Sequence, residues 1–310
     1  MVKKAKKLPK VFDYLRYEDQ LAGGVAFCAG CPLELALRLM TKVLGNEIVI
    51  IGTPSCSAPV LYGQNIGSWH RLAYCSSVMT GVASKATGIV RYYRKIGKDI
   101  TVVCFTGDGC AADVGFQPLS GAAERNEHFI YICYDNEGYM NTGVQRSSTT
   151  SFGASTTTTP VGVARKGKET PAKSLPLIMA MHRIPYVATA TLSHVEDYIK
   201  KLLKAKEMKN EGMAYLHIFS PCPTGWGIEP DSSIEVCRMA VRTNFFPLWE
   251  MERGKFRLTH EVSEPLPVTE YTKLCRKYRH LSKEDLAQLQ EQVNANYSFI
   301  RSLCEVTRGE

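Results

Sequence analysis

The sequence predicts an α/β fold, with a mainly parallel β-sheet and helices on both of its faces. Continuous apolar runs of strand length recur along the chain, and helix-compatible segments separate them. Of the 310 residues, 45% are hydrophobic, which is enough to bury one large core or two moderate ones. Strands that are apolar throughout are typical of a parallel sheet covered on both sides.

Five runs have the length and composition of buried strands, and they occupy residues 47–52, 99–106, 128–135, 184–190 and 213–220. Segments 33–44 and 117–125 are compatible with helices between them. Ligands of such sheets bind at the carboxyl ends of the strands. We therefore expect functional residues directly after the strands.

Charge and hydropathy argue against two classes of partner. The net charge is +8, but lysines within residues 1–10 contribute five of these charges and leave +3 for the rest of the chain, which weakens a nucleic-acid function. No run approaches the eighteen or so apolar residues of a membrane span, and no apolar segment follows the basic N-terminus. We expect a cytoplasmic protein that binds neither nucleic acid nor membrane.

The chain divides into a basic N-terminal tail at 1–19, a main domain at 20–247 and a C-terminal extension at 248–310. In the extension, Ser282 and Asp285 form a capping box ahead of apolar residues at helical spacing, which predicts a helix over 283–305. The polar segment 146–173 is long for a loop. We expect it to fold over a cofactor or a partner subunit.

Oxygen-bearing side chains and glycines follow two neighbouring strands of the predicted sheet. The tripeptide GDG at 107–109 comes directly after the second strand, and NEG at 136–138 comes directly after the third. Parallel strands would bring Asp108 and Asn136 to one edge, where their oxygens suit Mg²⁺ and the glycines let backbone N–H groups approach a diphosphate. Because GDG alone also occurs in ordinary turns, the second half of the motif is needed for this interpretation.

The whole motif resembles the thiamine diphosphate signature, in which GDG is followed some two dozen residues later by Asn. Here 26 residues separate Gly109 from Asn136, in a strand–helix–strand context. By this resemblance the side chains of Asp108 and Asn136 bind Mg²⁺, with the Gly138 carbonyl as a third ligand. The glycines of the turn, Gly107 among them, lie beside the diphosphate.

The same resemblance assigns a role to one residue after the motif. Asn141 would face the reacting end of the cofactor, and it is the predicted catalytic residue of this chain. For Tyr139 we expect a packed aromatic side chain and no catalytic role.

Four of the eleven cysteines are candidates for a second centre. Clustered cysteines in a chain without a secretion signal more often hold metal than form disulfides. Cys28 and Cys31 precede a helix-like run, while Cys56 and Cys222 follow the first and fifth predicted strands. If the sheet is parallel, all four reach the same edge as Asp108.

Four thiolates suit either a structural zinc ion or a [4Fe–4S] cluster. The decarboxylation of a 2-oxo acid on thiamine diphosphate releases electrons that a neighbouring cluster accepts singly and zinc does not, which favours the cluster. A redox pair of the thioredoxin type ranks last, because it does not require Cys56 and Cys222. Cys75, and Cys110 next to the GDG turn, are alternative candidates for one ligand position.

Together, these motifs resemble the thiamine-binding β subunits of the pyruvate:ferredoxin oxidoreductase family. The resemblance covers roughly residues 20–250. Its most specific parts are CAGC (28–31), GDG (107–109), YDNEGYMNTGVQRS (134–147), IPYVATA (184–190) and PCPTGWG (221–227).

The resemblance implies an oxygen-sensitive enzyme that decarboxylates a 2-oxo acid oxidatively and passes the electrons to external ferredoxin. This chain would supply the diphosphate side of the thiamine site and the nearest cluster. An α-type subunit would complete the site with the glutamate that activates the cofactor, and γ/δ-type subunits, one of them ferredoxin-like, would carry further clusters. We expect a dimer of heterotrimers or a similar hetero-oligomer, active only when assembled.

Pyruvate and oxalate are both candidate substrates. The segment 67–78 lacks the Glu-Asn pair expected in a pyruvate-type member, and His70 and Arg71 are candidate partners for the second carboxylate of oxalate, although structural roles suit them as well. The alternative function is that of a non-redox thiamine diphosphate decarboxylase or synthase subunit with a structural metal site. A zinc-stapled binding protein without catalysis is a third possibility.

Overall fold

A computed structural model describes residues 10–15, 17–62, 70–163 and 165–308. Most of the predicted basic tail, including Lys3, Lys4, Lys6 and Lys7, lies outside the described residues, and so do residues 67–69 of the segment weighed for substrate specificity.

In the described residues, eight strands form one sheet and two short strands form a separate hairpin. The strands are β1 (Ile48–Gly52), β2 (Ala73–Ser76), β3 (Thr101–Gly107), β4 (Ile130–Asp135), β5 (Val161–Gly162), β6 (Arg165–Lys166), β7 (Tyr186–Thr191), β8 (Ala214–Phe219), β9 (Leu248–Glu252) and β10 (Lys255–His260). The order in the large sheet is β10-β9-β7-β8-β4-β3-β1-β2, and the strands from β7 to β2 are parallel. The five predicted strands and their parallel pairing are confirmed.

Helices cover both faces of this sheet. They are α1 (Phe12–Leu15), α2 (Pro32–Leu44), α3 (Ala58–Leu61), α4 (Val82–Lys95), α5 (Phe116–Glu124), α6 (Leu175–Met181), α7 (Val195–Met208), α8 (Pro223–Trp226), α9 (Ser233–Arg242), α10 (Thr269–Thr272) and α11 (Lys283–Val306). Alternate residues of β3 point into opposite cores: Val103 and Phe105 pack with α2 and α7, while Val102 and Cys104 pack with α4 and α5. This two-sided burial explains why the central strands are apolar at successive positions.

The hairpin of β9 and β10 extends the sheet beyond β7, to which β9 pairs in antiparallel orientation. It lies within the predicted C-terminal extension, for which the sequence predicts a helix but no strand. Charged side chains interrupt its apolar pattern. Glu250 is nevertheless buried. Its carboxylate is satisfied there, because it accepts hydrogen bonds from the Tyr186 hydroxyl at 2.7 Å and from Arg257 at 2.8 Å.

The C-terminal helix is confirmed as α11. Its capping box is present: the Ser282 hydroxyl accepts from the Asp285 N–H at 3.2 Å, and the Asp285 carboxylate accepts from the Ser282 N–H at 3.0 Å. The buried face of the helix, with Ile300 and Cys304, joins the core beside α4 and α5. None of the helices in the described ranges has both the length and the apolar composition of a membrane span.

The substitution Phe105→Ala should lower the free energy of unfolding by about 3–5 kcal/mol, because it leaves a cavity in the centre of the sheet. The ring of Phe105 is wholly buried and its centroid lies 5.0 Å from that of Tyr134. Phe299→Ala, at a position that is 54% exposed on α11, should change that free energy by less than about 0.5 kcal/mol. Urea unfolding monitored by circular dichroism measures both, and equal losses would contradict the assignment of Phe105 to the core.

Candidate functional site

The strand ends bring the predicted site residues to one edge of the sheet. β3 ends directly before Asp108, and β4 ends directly before Asn136. β1 and β8 run parallel to them on either side, and Cys56 and Cys222 follow these two strands. The parallel pairing therefore gathers residues that lie more than 160 positions apart in the sequence.

The turn after β3 is built around a buried carboxylate. Asp108 is wholly buried and stands at the start of a short π-helix, Gly109–Val114. A Cβ at position 109 would lie 2.6 Å from the ring of Tyr139, whose hydroxyl donates to the Gly109 carbonyl at 2.9 Å. Only glycine permits this approach of ring to backbone. Tyr139 is a packed aromatic side chain, as predicted.

The Asn136 side chain contacts both groups of predicted ligands. One atom of its amide lies 3.7 Å from Cys56 Sγ. The other amide atom lies 2.9 Å from the Gly138 carbonyl oxygen and 3.1 Å from the Asp108 carboxylate, and hydrogen bonding favours the nitrogen at this position, where it donates to both. Rotation of the amide would instead place its oxygen beside these two oxygens, which completes a donor set suited to a divalent cation such as Mg²⁺. These three residues could hold that ion.

A second buried carboxylate, Asp135, lies beside Asp108. The Thr149 hydroxyl lies 3.0 Å from one oxygen of Asp108 and 2.8 Å from one of Asp135, so it can donate to only one of them at a time. Burial, followed by the charge of Asp135, raises the pKa of Asp108 well above its ordinary value. Burial acts in the same direction on Asp135, but the hydrogen bond and charge of His217, 2.8 Å away, hold the pKa of Asp135 below its ordinary value. A cation next to Asp108 would favour its charged form.

The polar segment 146–173 packs against the loop at 135–138. Thr150 is buried and donates to the Glu137 carbonyl at 2.7 Å. The ammonium group of Lys168, also buried, donates to the carbonyl of Thr150 at 2.6 Å. The hydroxyls of this segment therefore satisfy buried backbone and carboxylate groups at the edge of the sheet.

The four predicted cluster cysteines interact electrostatically, since all of their pairs except Cys28 with Cys56 are coupled. Cys28 is exposed and the other three are half-buried. Burial, with an added contribution from the neighbouring thiols, raises the pKa of Cys31 and of Cys56 to about 12. Burial also raises the pKa of Cys222. Thiols in such surroundings lose their protons when a bound metal compensates the negative charge of the thiolates.

Local structure positions these cysteines. Cys31 is the N-terminal cap of α2, with Pro32 in the first turn of the helix. Cys222 caps α8, and its sulfur accepts from the Gly225 N–H at 3.2 Å. The turn between Cys28 and Cys31 requires glycine, because Gly30 has φ +71° and a Cβ there would lie 1.9 Å from a backbone oxygen.

Across the described ranges, no three His, Cys, Asp or Glu side chains lie close enough together to hold one metal ion. A single zinc ion requires all four thiolates at about 2.3 Å. A [4Fe–4S] cluster is larger and takes its four cysteines on separate irons. Four cysteines are a donor set that fits either centre.

Three other predicted candidates have different surroundings. Asn141 is exposed in the turn after the loop at 135–138. Cys110 is buried and its sulfur contacts the Met79 carbonyl at 3.2 Å and the Tyr131 hydroxyl at 3.8 Å. Cys75 is half-buried in β2.

The two residues weighed as partners for oxalate engage local groups. The Nε2 atom of His70 lies 3.0 Å from the Leu61 carbonyl, and Arg71 forms an ion pair with Glu18. These contacts give the structural roles of both side chains direct support.

A cavity of about 220 Å³ adjoins the far side of the loop at 135–138. Asp135 and His217 line it together with Trp249 and Ile300, and neither Asp108 nor any of the four predicted cluster cysteines borders it. Glu137 and Thr149 also line it, so the cavity borders residues that support the edge.

Several residues that support the edge are not predicted from the sequence. Thr149 lies in a run of hydroxyl residues without a distinguishing pattern, and Lys277 lies in a charged part of the C-terminal extension. His217 has a recognisable signal, because it is a polar residue within an otherwise apolar strand. A polar side chain in such a position needs a buried partner, which here is Asp135.

Comparison with known proteins identifies related chains. Residues 56–218 match the thiamine pyrophosphate enzyme family, C-terminal TPP binding domain. The chain is 44% identical over 292 residues to the pyruvate synthase subunit PorB of Methanothermobacter thermautotrophicus, covering 94% of this chain and 98% of that subunit. It is 39% identical over 302 residues to the ketoisovalerate oxidoreductase subunit VorB of Pyrococcus horikoshii, covering 94% and 95%.

A solved structure shares the fold. The 2-oxoglutarate:ferredoxin oxidoreductase from Magnetococcus marinus matches with a TM-score of 0.57 and 20% identity, over 89% of each chain. PorB and VorB, the two relatives described above, are named as subunits, and they align with this chain over nearly their whole length. The chain therefore belongs to the thiamine diphosphate-dependent 2-oxoacid:ferredoxin oxidoreductase family, as the β subunit of a multi-subunit enzyme.

Proposed function

We propose that this chain binds thiamine diphosphate through Mg²⁺ and carries one [4Fe–4S] cluster next to it, for the oxidative decarboxylation of a 2-oxo acid with electron transfer to ferredoxin. The contact that carries this proposal is made by Asn136. One atom of its amide lies beside Cys56 Sγ, and the other lies beside the oxygens of Asp108 and Gly138. One side chain therefore joins the oxygen ligands and the sulfur ligands at a single sheet edge.

Asp108, Asn136 and the Gly138 carbonyl are the proposed Mg²⁺ ligands, and the GDG backbone approaches the diphosphate. The tightness of the loop supports the use of a carbonyl there, since a Cβ at position 138 would lie 2.7 Å from the Gln145 carbonyl oxygen. Asn141 is exposed and adjacent to this loop, as a residue facing the substrate would be. Its catalytic role remains part of the proposal.

Cys28, Cys31, Cys56 and Cys222 are the proposed cluster ligands. When bound, thiamine diphosphate would supply the electron sink for decarboxylation, and a cluster held by these cysteines would supply a one-electron acceptor. The protein contributes the mutual proximity of the four thiols and the N–H group that Gly225 directs at Cys222. A non-redox decarboxylase or synthase, the alternative function, has no redox use for these cysteines and would employ them only in a structural metal site.

The proposed substrate is pyruvate or a related 2-oxo acid. A pyruvate synthase subunit and a ketoisovalerate oxidoreductase subunit are among the relatives. Oxalate is the second candidate, and the local contacts of His70 and Arg71 add nothing in its favour.

The proposed partners are an α-type subunit that completes the thiamine site, and γ/δ-type subunits that include a ferredoxin-like one. Next to the GDG turn, Val78 and Val114 are 67% and 47% exposed, and their neighbours Met79 and Cys110 are in contact. Exposed apolar side chains beside a half-site suit a subunit contact. A dimer of heterotrimers or a similar assembly, an external ferredoxin as acceptor and a cytoplasmic location complete the proposal.

The isosteric variant Asp108→Asn should lose Mg²⁺-dependent binding of thiamine diphosphate, because an amide removes the charge of a hard ligand while preserving the shape of the buried side chain. Calorimetric titration of the assembled enzyme measures the affinity. Asp231→Asn, at an exposed acidic position, is the matched control and should bind as the unmodified protein does. Unchanged affinity in Asp108→Asn would rule out this residue as a ligand.

Serine at any one of the four proposed cluster positions should lower the iron content and slow ferredoxin reduction more than it weakens thiamine diphosphate binding. Cys304→Ser, at a buried position on α11, should retain the iron of the unmodified protein. Cys75→Ser and Cys110→Ser test the alternative ligands. Iron and sulfide analysis after anaerobic purification gives the result, and a full, reducible cluster in Cys56→Ser or Cys222→Ser would exclude that cysteine.

The isolated chain should be inactive and should gain activity when assembled with its partners, because proton transfer at the pyrimidine end of the cofactor requires a group from the other subunit. Anaerobic assays with pyruvate, other 2-oxo acids and oxalate, monitoring CO₂ release and ferredoxin reduction, measure this gain and identify the substrate. Turnover by the isolated chain would refute the shared site. Decarboxylation by the assembly without electron transfer would establish the non-redox alternative.

A further inference from the structure

A buried ion pair involves the loop at 135–138, which contains the proposed Mg²⁺ ligands Asn136 and Gly138 and is called the metal loop below. Lys277, in the short 3₁₀-helix Arg276–Tyr278, places its ammonium group 2.8 Å from a carboxylate oxygen of Glu137, and the two side chains are 3% and 5% exposed. The Ser151 hydroxyl donates to the same carboxylate oxygen at 2.7 Å. Glu137 has φ +58° and stands between the two residues of the loop that are proposed as Mg²⁺ ligands.

The same lysine contacts the segment that carries a proposed cluster ligand. Its ammonium group lies 3.2 Å from the ring centroid of Trp226, the last residue of α8, and Cys222 caps that helix. The indole N–H of Trp226 donates to the Asn136 carbonyl at 2.9 Å. Lys277 therefore contacts Glu137 in the metal loop and Trp226 in the turn at 222–227, which is called the Cys222 turn. Trp226 also connects these two segments directly.

These contacts involve a costly arrangement. A buried ion pair contributes little net stability compared with apolar side chains of the same size. The left-handed backbone at Glu137 is strained for a residue with a side chain. The ion pair holds that backbone conformation, because the Glu137 carboxylate could leave the interior only by separating from Lys277.

We propose that Lys277 is a positioning residue that fixes the metal loop and the Cys222 turn to one another, so that the two cofactors keep a constant relative placement. This inference rests on the proposed function. The C-terminal extension thereby acts on both centres through a single ammonium group, although it supplies no ligand to either.

Removal of the ammonium group should disturb both centres together. Glu137 would be left buried without its cation, and the loop around it would rearrange. Trp226 would lose its cation–π contact, which would loosen the turn in which the Gly225 N–H reaches the sulfur of Cys222. Hydrogen bonds to ligand sulfurs are among the features that determine cluster potentials, so their loss lowers the potential.

The test compares Lys277→Met with Lys201→Met in the assembled enzyme. Lys201 is a matched control, because it is buried on α7, pairs with Asp197 at 2.5 Å and contacts Thr189 and Thr259. For Lys277→Met we expect an affinity for thiamine diphosphate with Mg²⁺ that is about 10- to 100-fold weaker, the range typical of lost outer-shell support. We also expect a more negative midpoint potential of the cluster. Lys201→Met should change neither.

The double variant Lys277→Met/Glu137→Gln separates positioning from stability. It has no unpaired buried charge, so its melting temperature should recover towards that of the unmodified enzyme, while the affinity and the potential should remain altered because the connection is still absent. Recovery of both together with the melting temperature would overturn the proposal. So would unaltered values in a folded Lys277→Met enzyme.

The unmodified enzyme distinguishes the two levels of inference. If it contained iron and bound thiamine diphosphate with Mg²⁺, but the Lys277 variants matched the Lys201 control, the positioning role would fail and the proposed function would stand. An unmodified enzyme without iron would overturn the proposed function and this inference with it.

Discussion

Two carboxylates are buried side by side at the ends of adjacent parallel strands, and much of the surrounding structure compensates for their burial. Asp108 and Asp135 share one hydroxyl, that of Thr149, and only Asp135 has a histidine partner. Moving an ion from water into a protein interior costs several kcal/mol even after relaxation. The segment 146–173 folds against this edge because its hydroxyls satisfy groups that would otherwise have no partner, which makes it part of the interior despite its composition.

The strands that can be predicted from the sequence are those buried on both faces of the sheet. β4, β7 and β8 are buried at every position, so their apolar runs are continuous and their boundaries can be predicted closely. β9 and β10 lie at the border of the sheet and carry glutamates and basic residues that become satisfied only by tertiary contacts. The pairing of Glu250 with Tyr186 and Arg257 cannot be inferred from the residues adjacent to it in the chain. Local pattern therefore predicts the centre of this sheet but not its edge.

The candidate site shows the same division. Asp108, Asn136 and Gly138 are predictable because a short motif with a fixed spacing contains them, and parallel pairing brings its two halves together. The choice of Cys56 and Cys222 over Cys75 and Cys110 depends on the strand order, which local sequence does not specify. The supporting residues are the least predictable. Thr149 and Lys277 come from segments whose composition is that of ordinary surface, and only the fold turns these residues inward.

The region that matches the thiamine domain extends from residue 56 to residue 218, and the two proposed centres relate to it differently. All three proposed Mg²⁺ ligands lie inside it. Cys28 and Cys31 precede it, Cys222 follows it, and Cys56 stands at its first position, so the sulfur ligands come from its margins. The proposed cluster would thus take its ligands from segments on both sides of this region and from its first residue. Because separate segments do not by themselves keep a fixed distance, a connection between them is required, and the contacts of Asn136 with Cys56 and of Trp226 with Asn136 provide it within the fold.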